Sequence, residues 1–452
     1  MSNVFHVTLQ DLDSVEKRGK YTVCILGCEQ YGLFCASVFA GVGFRVICAD
    51  PDQSLIRKVK KRKSGSSQGY LEVKLKDYIN SGILAVTSDL KNAIIQSDII
   101  IVTTPVRIDE NGNSDSSNLE NSLKQVGEAM RRGIFVFYAN VTSLGLMENL
   151  VRETLERTSG FKTGQDFGLA YVIGFTKGQK WQAEDIGNEQ VIVAANEKSS
   201  LDAAGTIFST VTRKGMKTTM NLRAAELAAL FSFARRDVTR GLTNELSALC
   251  EKTNVDYYET LKLVDFDVEK ADFVPSIDDQ ENKLGTQVLL ESADNLGVKL
   301  RLPELARHVN ENMAKHAVDL AQGTIRRLGK TFRRSRIAVL GASSPGTSVE
   351  TFVRMLETKG ARINLYDSSG EKSNELDGLP IPKRSIMEAV ENSDCIVFLS
   401  KEDQFSRLNL KSLRSVMKSP AAILDFSGVF EPEKVENEGF LYCSLGRGCD
   451  NQ

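Results

Sequence analysis

Histidine is scarce in this chain of 452 residues, which has only His6, His308 and His316. The eight cysteines include none with the Cys-x-x-Cys spacing that is typical of zinc and redox motifs. They are Cys24, Cys28, Cys35, Cys48, Cys250, Cys395, Cys443 and Cys449. We therefore expect no metal site, and we interpret most of the cysteines as buried, reduced thiols that pack like small apolar side chains.

Long apolar runs are also absent, since none reaches the roughly 20 residues that a membrane-spanning helix needs. The amino-terminal stretch MSNVFHVTLQDLDS is mixed and acidic, unlike a secretory signal. The net charge of −2 gives no general argument for binding nucleic acid or membrane. These features lead us to expect a cytoplasmic protein of two or three domains without membrane contact.

Apolar strands alternate with helical segments in the first part of the chain. KYTVCILG, FRVICAD, ILAVTSD and DIIIVTTP are strand-like, and GLFCASVFAGVG and LKNAIIQS have helical spacing. RGIFVFYANV, DFGLAYVIGF and QVIVAAN add further strands. Continuous apolar strands with intervening helices predict a parallel sheet that is covered on both faces. We expect a Rossmann-type α/β domain over residues 1–205.

The pattern changes in the middle of the chain and then returns. Apolar residues recur every three or four positions in two long stretches, which predicts a helical domain over 206–325 with one helix over about 218–251. These helices either form a dimer surface or pack on the flanking domains. From SRIAVLG onward the strand–helix alternation resumes, which predicts a second Rossmann-like domain over 326–452.

Two basic clusters interrupt this pattern. RKVKKRK spans 57–63 and RRLGKTFRRSR spans 326–336. Each could contact nucleic acid or serve as a targeting patch. Apart from Phe332 neither has interleaved aromatic residues. We therefore interpret the first as the end of a surface helix and the second as a hinge between domains.

The stretch GCEQYG resembles the glycine-rich turn that binds a dinucleotide pyrophosphate, with Gly27 and Gly32 in the two architectural positions. Glu29 replaces the middle glycine, and at ~5 Å and a dielectric constant of ~20 its charge would repel a phosphate by ~3 kcal/mol. A side chain that turns to solvent avoids this cost. Asp50 ends the second strand, where it either binds the adenosine ribose or caps the turn DPDQS. We predict that NAD binds weakly or not at all.

Several collinear segments resemble the UDP-glucose/GDP-mannose dehydrogenase family, and most closely its UDP-N-acetylhexosamine branch. They are TTPVRIDENGNSDSSNLE (103–120), TSGFKTGQDFGLAYVIGFTKG (158–178), AELAALFSFARRDVTRGLTNEL (225–246), RIAVLGASSPG and GFLYCSLGRG (439–448). The resemblance implies an NAD-binding domain, a central helical domain and a UDP-sugar-binding domain. It also adds Thr104 and Pro105 to the cofactor site. Members of this family are usually dimers built on the central helices.

The family oxidises a sugar alcohol to a carboxylate with two NAD molecules and a cysteine-bound thiohemiacetal. The resemblance locates the cysteine near Glu281, the lysine at Ala229, the asparagine at Phe233 and a glutamate at Gly174. None of these side chains can do the required work, and residues 251–394 contain no cysteine. The substrate-binding arginine of the third domain is also missing from GASSPGTSVETF. The resemblance therefore implies a member with lost catalytic motifs.

Three functions remain open. The first is a catalytically inactive homologue that acts by binding a nucleotide or nucleotide sugar, or as a regulatory partner. The second is an active NAD-dependent UDP-sugar 6-dehydrogenase with divergent motifs. The third is a nucleic-acid or assembly-binding protein that uses the same fold. We expect a homodimer, or a heterodimer with an active homologue.

Overall fold

The computed structural model of the chain describes the residues 4–61, 70–109, 113–174, 191–264, 273–277, 280–341, 348–367 and 380–449. The chain divides into two compact units. Met1–Ser232 and Leu284–Lys299 form the first, and Phe233–Lys283 and Leu300–Gln452 form the second. No helix within the described ranges is both long enough and apolar enough to cross a membrane.

The first unit contains an eight-stranded sheet in the order β10-β9-β8-β7-β4-β1-β2-β3. Its strands are β1 (Thr22–Leu26), β2 (Arg45–Ala49), β3 (Leu84–Thr87), β4 (Ile99–Val102), β7 (Phe135–Tyr138), β8 (Gly168–Ile173), β9 (Val191–Ala194) and β10 (Met216–Thr219). The short strands β5 (Arg107–Ile108) and β6 (Ser114–Asp115) form a separate hairpin. The predicted α/β class is confirmed, and every strand expected here from the sequence is present.

Two features of this sheet differ from the simplest expectation. Strand β9 runs antiparallel to β8, so the sheet is mixed rather than wholly parallel. Strand β10 pairs with β9 although it lies beyond residue 205. The apolar content of a short strand does not reveal the direction in which it runs, so the sequence does not predict the antiparallel pairing. Strand β10 is largely exposed and therefore lacks the continuous apolar run by which the other strands are recognised.

Helices cover both faces of the sheet. In chain order they are α1 (Val15–Arg18), α2 (Gln30–Gly41), α3 (Gln53–Lys61), α4 (Tyr70–Asn80), α5 (Leu90–Ile95), α6 (Ser117–Ala129), a π-helix (Met147–Arg152), α7 (Glu153–Ser159) and α8 (Lys198–Ser209). Strand β4, with the sequence IIIV, is fully buried because its alternate side chains enter the two core layers. The strand order reverses between β1 and β4, and in such sheets ligands bind at the carboxyl ends of the strands beside this point.

The middle of the chain is helical, as predicted. Its helices are α9 (Leu222–Thr253), α10 (Tyr257–Leu263), α11 (Gln280–Asn295) and α12 (Arg301–Arg327). The helix expected over about 218–251 corresponds to α9. Gly297, with φ 71°, separates α11 from α12. Within the second unit, α9 and α12 are joined by a buried ion pair of 2.9 Å between Arg307 Nη1 and Asp237 Oδ1.

The second unit contains a six-stranded sheet in the order β12-β11-β13-β14-β15-β16, parallel except for β16. Its strands are β11 (Arg336–Leu340), β12 (Arg362–Tyr366), β13 (Cys395–Phe398), β14 (Ala422–Asp425), β15 (Leu441–Ser444) and β16 (Gly448–Cys449). The accompanying helices are α13 (Ser348–Thr358), α14 (Ile386–Val390), α15 (Asp403–Ser406), α16 (Leu410–Val416) and α17 (Pro432–Asn437). This is the second Rossmann-like sheet that the sequence predicts.

The cysteines are mostly the buried thiols expected from the sequence. Five free cysteines are buried and Cys250 is partly exposed. Cys443 differs from the expectation, because it is disulfide-bonded. In the backbone pairing of β15 with β16, it lies opposite Cys449.

Candidate functional site

The turn after β1 depends on two glycines. Gly27 has φ 109°, a conformation that other residues rarely adopt, and its N–H donates to the Ala49 carbonyl at 2.9 Å. A Cβ atom on Gly32 would lie only 1.9 Å from the Gly27 oxygen. Helix α2 can therefore approach β1 this closely only with glycine at position 32, as the dinucleotide-binding turn requires.

Asp50 ties this turn to the end of β2. Its Oδ2 accepts the N–H of Cys28 at 2.8 Å, and its Oδ1 accepts the N–H of Asp52 at 2.9 Å. The residue is only 8% exposed. A carboxylate has about four acceptor positions, so these two bonds leave others for a ligand. The turn-capping role and a ribose-binding role are therefore compatible in one side chain.

Glu29 stands at the N-cap of α2, where an anion would meet the helix. Its φ of −66° is accessible to any residue, and its side chain makes no capping hydrogen bond. Glu29 Oε1 instead lies 3.6 Å from Arg107 Nη2, and both side chains are about 60% exposed. The Glu29 side chain therefore points to solvent, as the sequence allows, and the Arg107 guanidinium lies beside it.

The segment after β4 borders the same turn. Thr103 Oγ1 donates to the Leu26 carbonyl at 2.8 Å, and Asn140 Nδ2 donates to the Thr103 carbonyl at 2.7 Å. Thr104 Oγ1 lies 3.2 Å from Ser122 Oγ, and Pro105 follows half-buried. These contacts connect the ends of β1, β4 and β7, so Thr104 and Pro105 are held at the edge where a dinucleotide binds.

Glu226 on α9 fixes the loop that follows β7. Its carboxylate accepts the N–H of Gly145 at 2.6 Å and that of Met147 at 2.9 Å, and the side chain is completely buried. Burial raises the pKa of Glu226, and the two N–H donors partly oppose that shift. These two hydrogen bonds attach the start of α9 to the loop after β7, at the carboxyl ends of the strands. We call this side of the first sheet the cofactor edge, because dinucleotides bind there in sheets of this type.

A cavity of about 290 Å³ lies beside this loop. Glu291 of α11 accepts the N–H of Ser114 at 3.1 Å and also contacts the Ser114 hydroxyl. Val106 and Leu144 complete this part of its wall. Glu291 thus joins the β5–β6 hairpin to α11 at the rim of the cavity.

Comparison with known proteins decides the family. The model described as the NAD binding domain of the UDP-glucose/GDP-mannose dehydrogenase family matches residues 21–212, and the UDP binding domain model of the same family matches 346–432. The chain belongs to this family. The two matched segments each lie within one of the two sheet-containing regions, so the resemblance inferred from the sequence is confirmed.

Full-length relatives agree with this assignment. UDP-N-acetyl-D-mannosamine dehydrogenase of Pyrococcus horikoshii is 26% identical over 436 residues, which cover 94% of this chain and 99% of the relative. UDP-glucose 6-dehydrogenase of Rhizobium meliloti is 25% identical, again covering 94% and 99%. The solved structure of the Pyrococcus horikoshii UDP-D-ManNAc dehydrogenase is similar in fold, with a TM-score of 0.76, 22% identity and coverage of 94% and 99%.

Ala229 and Phe233, the positions at which the sequence resemblance locates the lysine and the asparagine of the family, lie on α9. Ala229 is 3% exposed and packs in the same apolar cluster as Leu222 and Ala225. Phe233 is 2% exposed, and the Arg236 guanidinium lies 5.0 Å from the centre of its ring. Neither position offers a polar side chain that could stabilise an oxyanion.

The other degenerate positions are less completely described. Gly174 follows β8 with φ 144° and has no side chain to act as an acid or base. Glu281 lies in the first turn of α11, and its side chain is outside the described part of the structure. Residues 342–347, part of the segment in which we expected the arginine of the third domain, also lie outside the described residues.

Five of the free cysteines in the part of the chain that the structure describes are buried and poorly suited to act as nucleophiles. Burial raises the pKa of Cys35 to about 12 and moves those of Cys24 and Cys395 still further above the ordinary range. Such thiols remain protonated at neutral pH, and the thiolate is the reactive form. Cys28 and Cys48, whose Sγ atoms are 2.9 Å apart, are also fully buried.

Sequence reasoning missed the residues that act through tertiary contacts. Arg107, Asn140 and Glu226 all stand near the cofactor edge. The only signal for Arg107 was its place two residues after Pro105. Glu226 lies in the segment aligned with the central helix of the family, three residues before Ala229, but an isolated glutamate on a helix does not reveal a buried acceptor.

Proposed function

We propose that this chain is a catalytically inactive nucleotide-sugar dehydrogenase homologue that acts by binding a nucleotide ligand and a protein partner. The observation that carries the proposal is the closure of the Ala229 and Phe233 positions by apolar packing. A single lost oxyanion donor costs ~3–4 kcal/mol in the barrier. The missing thiol removes the covalent step as well, and groups that act as a unit cannot be restored one at a time.

The first unit retains the features that a dinucleotide needs. Gly27 and Gly32 keep the turn tight, the Asp50 carboxylate has open acceptor positions, and no Glu29 side-chain bond caps α2. NAD, when bound, supplies a hydride acceptor. Asp50 would hold the ribose, and the turn after β1 would hold the pyrophosphate. We infer weakened binding, because the exposed charge of Glu29 stands near the phosphate position and lowers the affinity roughly four-fold, or ~0.8 kcal/mol.

We propose that the partner is a second copy of this chain or an active homologue, bound through the central helices. Leu242, Leu246 and Leu249 follow one another at helical spacing on α9 and are 49%, 39% and 58% exposed. Leu302 and Leu305 of α12 are also exposed. An apolar stripe of this kind on a helix is costly to leave in water and favours a helical partner.

Calorimetry with NADH, and separately with UDP-N-acetylglucosamine, tests the binding half of the proposal. The purified chain should bind NADH more weakly than low-micromolar affinity, and Asp50→Ala should abolish that binding. Mass spectrometry of the purified protein should also be used to detect any nucleotide that co-purifies with it. Low-micromolar NADH binding together with sugar oxidation would favour an active dehydrogenase with divergent motifs instead.

A further inference from the structure

The basic cluster at 326–336 forms part of a larger basic face in the second unit. Arg326 lies in the last turn of α12, Arg336 begins β11 and Arg362 begins β12. Arg333 and Arg334 lie in the turn between α12 and β11, and both are exposed. We call these five residues the arginine face.

Backbone contacts hold the turn of this face in one conformation. The Arg334 N–H donates to the Gly360 carbonyl at 2.8 Å, and the Arg362 N–H donates to the Ser335 carbonyl at 2.8 Å. The Phe332 side chain, which is 8% exposed, packs into the core below the turn. The arginines therefore project from a fixed backbone rather than from a loose linker.

The carboxylate of Asp394, which lies beside the arginine face, is paired with two lysines rather than with these arginines. Asp394 is buried and forms ion pairs with Lys330 at 2.9 Å and Lys418 at 3.4 Å. It also accepts the N–H of Arg336 at 2.8 Å. Burial alone would raise the pKa of Asp394, but these donors lower it below the ordinary value. Asp394 therefore stays charged but does not neutralise the arginine face.

Two features of the face oppose folding stability. Arg336 lies directly beside Arg362 in the β11–β12 register, where like charges destabilise a sheet. Arg334 has φ 74°, which is unfavourable for a residue with a side chain. In the part of the chain that the structure describes, none of the five arginines has an acidic side chain as an ion-pair partner. Unfavourable local features of this kind cluster at binding sites.

We propose that the arginine face binds the phosphate backbone of a nucleic acid duplex without reading its base sequence. Guanidinium groups bind phosphates in a bidentate manner that lysine cannot reproduce. The face has no exposed aromatic side chain within the described residues, which disfavours single strands, because these bind by base stacking. It also has no exposed large apolar side chain among them to enter a membrane.

The location separates this activity from the nucleotide site. Arg336 and Arg362 are the first residues of parallel strands, so the face lies at the amino-terminal edge of its sheet. In open α/β sheets, nucleotides bind at the opposite, carboxyl-terminal edge. Duplex binding should therefore persist in the presence of a UDP-sugar.

Fluorescence anisotropy with a labelled random duplex of about twenty base pairs tests the proposal across ~50 to 200 mM salt. Contacts to five phosphates predict a slope of log K against log salt of about −4.5. The triple variant Arg326→Gln/Arg333→Gln/Arg362→Gln should have a slope of about −2. The control variant Arg301→Gln/Arg384→Gln/Arg407→Gln removes exposed arginines elsewhere in the unit and should keep the original slope.

A further variant separates binding from folding. Arg334→Gly should weaken duplex binding but raise the melting temperature, since glycine accepts a positive φ. The proposal is overturned if the duplex does not bind at low salt, or if both triple variants behave alike. It is also overturned if a UDP-sugar displaces the duplex, or if only polyglutamate or phosphatidylserine vesicles are bound.

Discussion

Glu29 Oε1 lies 3.6 Å from Arg107 Nη2. This contact pairs the acidic residue of the glycine turn with a basic residue from the segment after β4. Because both side chains are about 60% exposed, the carboxylate acts on a bound phosphate largely through water. At ~5 Å and a dielectric constant of ~80 the repulsion is ~0.8 kcal/mol, rather than the ~3 kcal/mol expected in a drier site.

Substitution of Glu29 should therefore tighten dinucleotide binding only modestly. Glu29→Gln should increase NADH affinity roughly four-fold, and Arg107→Gln should decrease it by a similar factor. Calorimetry on both single variants and the double variant measures their coupling. Glu128→Gln, an exposed control on α6, should leave affinity unchanged. An increase of a hundred-fold for Glu29→Gln would contradict the exposed ion pair.

Two glycine substitutions should have opposite effects on stability. Gly32→Ala forces a Cβ to within 1.9 Å of the Gly27 oxygen, so it should lower the free energy of unfolding by about 1–3 kcal/mol. Gly323→Ala, on α12, meets nothing within 4 Å and should raise it by about 0.5–1 kcal/mol. Urea unfolding monitored by circular dichroism measures both. A neutral Gly32→Ala would refute the close approach of α2 to β1.

The pH dependence of stability should reveal the ion pair between His316 and Glu251. His316 Nε2 lies 2.9 Å from Glu251 Oε2, and this contact raises the pKa of His316 against the opposing effect of burial. A raised folded-state pKa gives stability that is complete below the unfolded value of ~6.5 and is lost as pH rises through the folded value.

Urea unfolding between about pH 5 and 9 should therefore show stability falling above ~6.5. His316→Asn should flatten this part of the profile, whereas His308→Asn, an exposed control on the same helix, should not. An unchanged profile for His316→Asn would show that the pair contributes nothing to folding.

The leucines of α9 should control self-association. Leu242→Glu/Leu246→Glu introduces charges into the apolar stripe and should convert a dimer into a monomer at micromolar concentration, as measured by light scattering. Ile381→Glu changes another exposed apolar residue of the second unit and should leave the dimer intact. This part of the proposal would be contradicted if the wild-type protein were monomeric at tens of micromolar and no partner were recovered with it from cells.

The sequence predicts the fold well where burial dominates. Strand β4 is recognisable because its four residues are all apolar, and α9 because apolar residues recur over its length. The β5–β6 hairpin has strands of only two residues, too short for any periodicity to register. The antiparallel course of β9 leaves no mark on its apolar sequence, because an apolar strand can pack in either direction.

The candidate site divides in the same way. Gly27, Gly32 and Asp50 are recognisable because their types and spacing follow from backbone geometry and ribose binding. The pairing of Glu29 with Arg107 depends on residues far apart in sequence, so no local pattern predicts it. The effect of Glu29 on binding therefore requires the structure.

Turnover is the most direct test of the central claim that this chain has lost its catalytic activity. NADH formation should be followed with UDP-glucose, UDP-N-acetylglucosamine and UDP-N-acetylmannosamine at high enzyme concentration, with Asp50→Ala and Cys250→Ser as control variants. We predict no product above background with any of the sugars. Turnover above about one per minute, still far below the ~1 per second of slow ordinary enzymes, would contradict the account if Asp50→Ala abolished it.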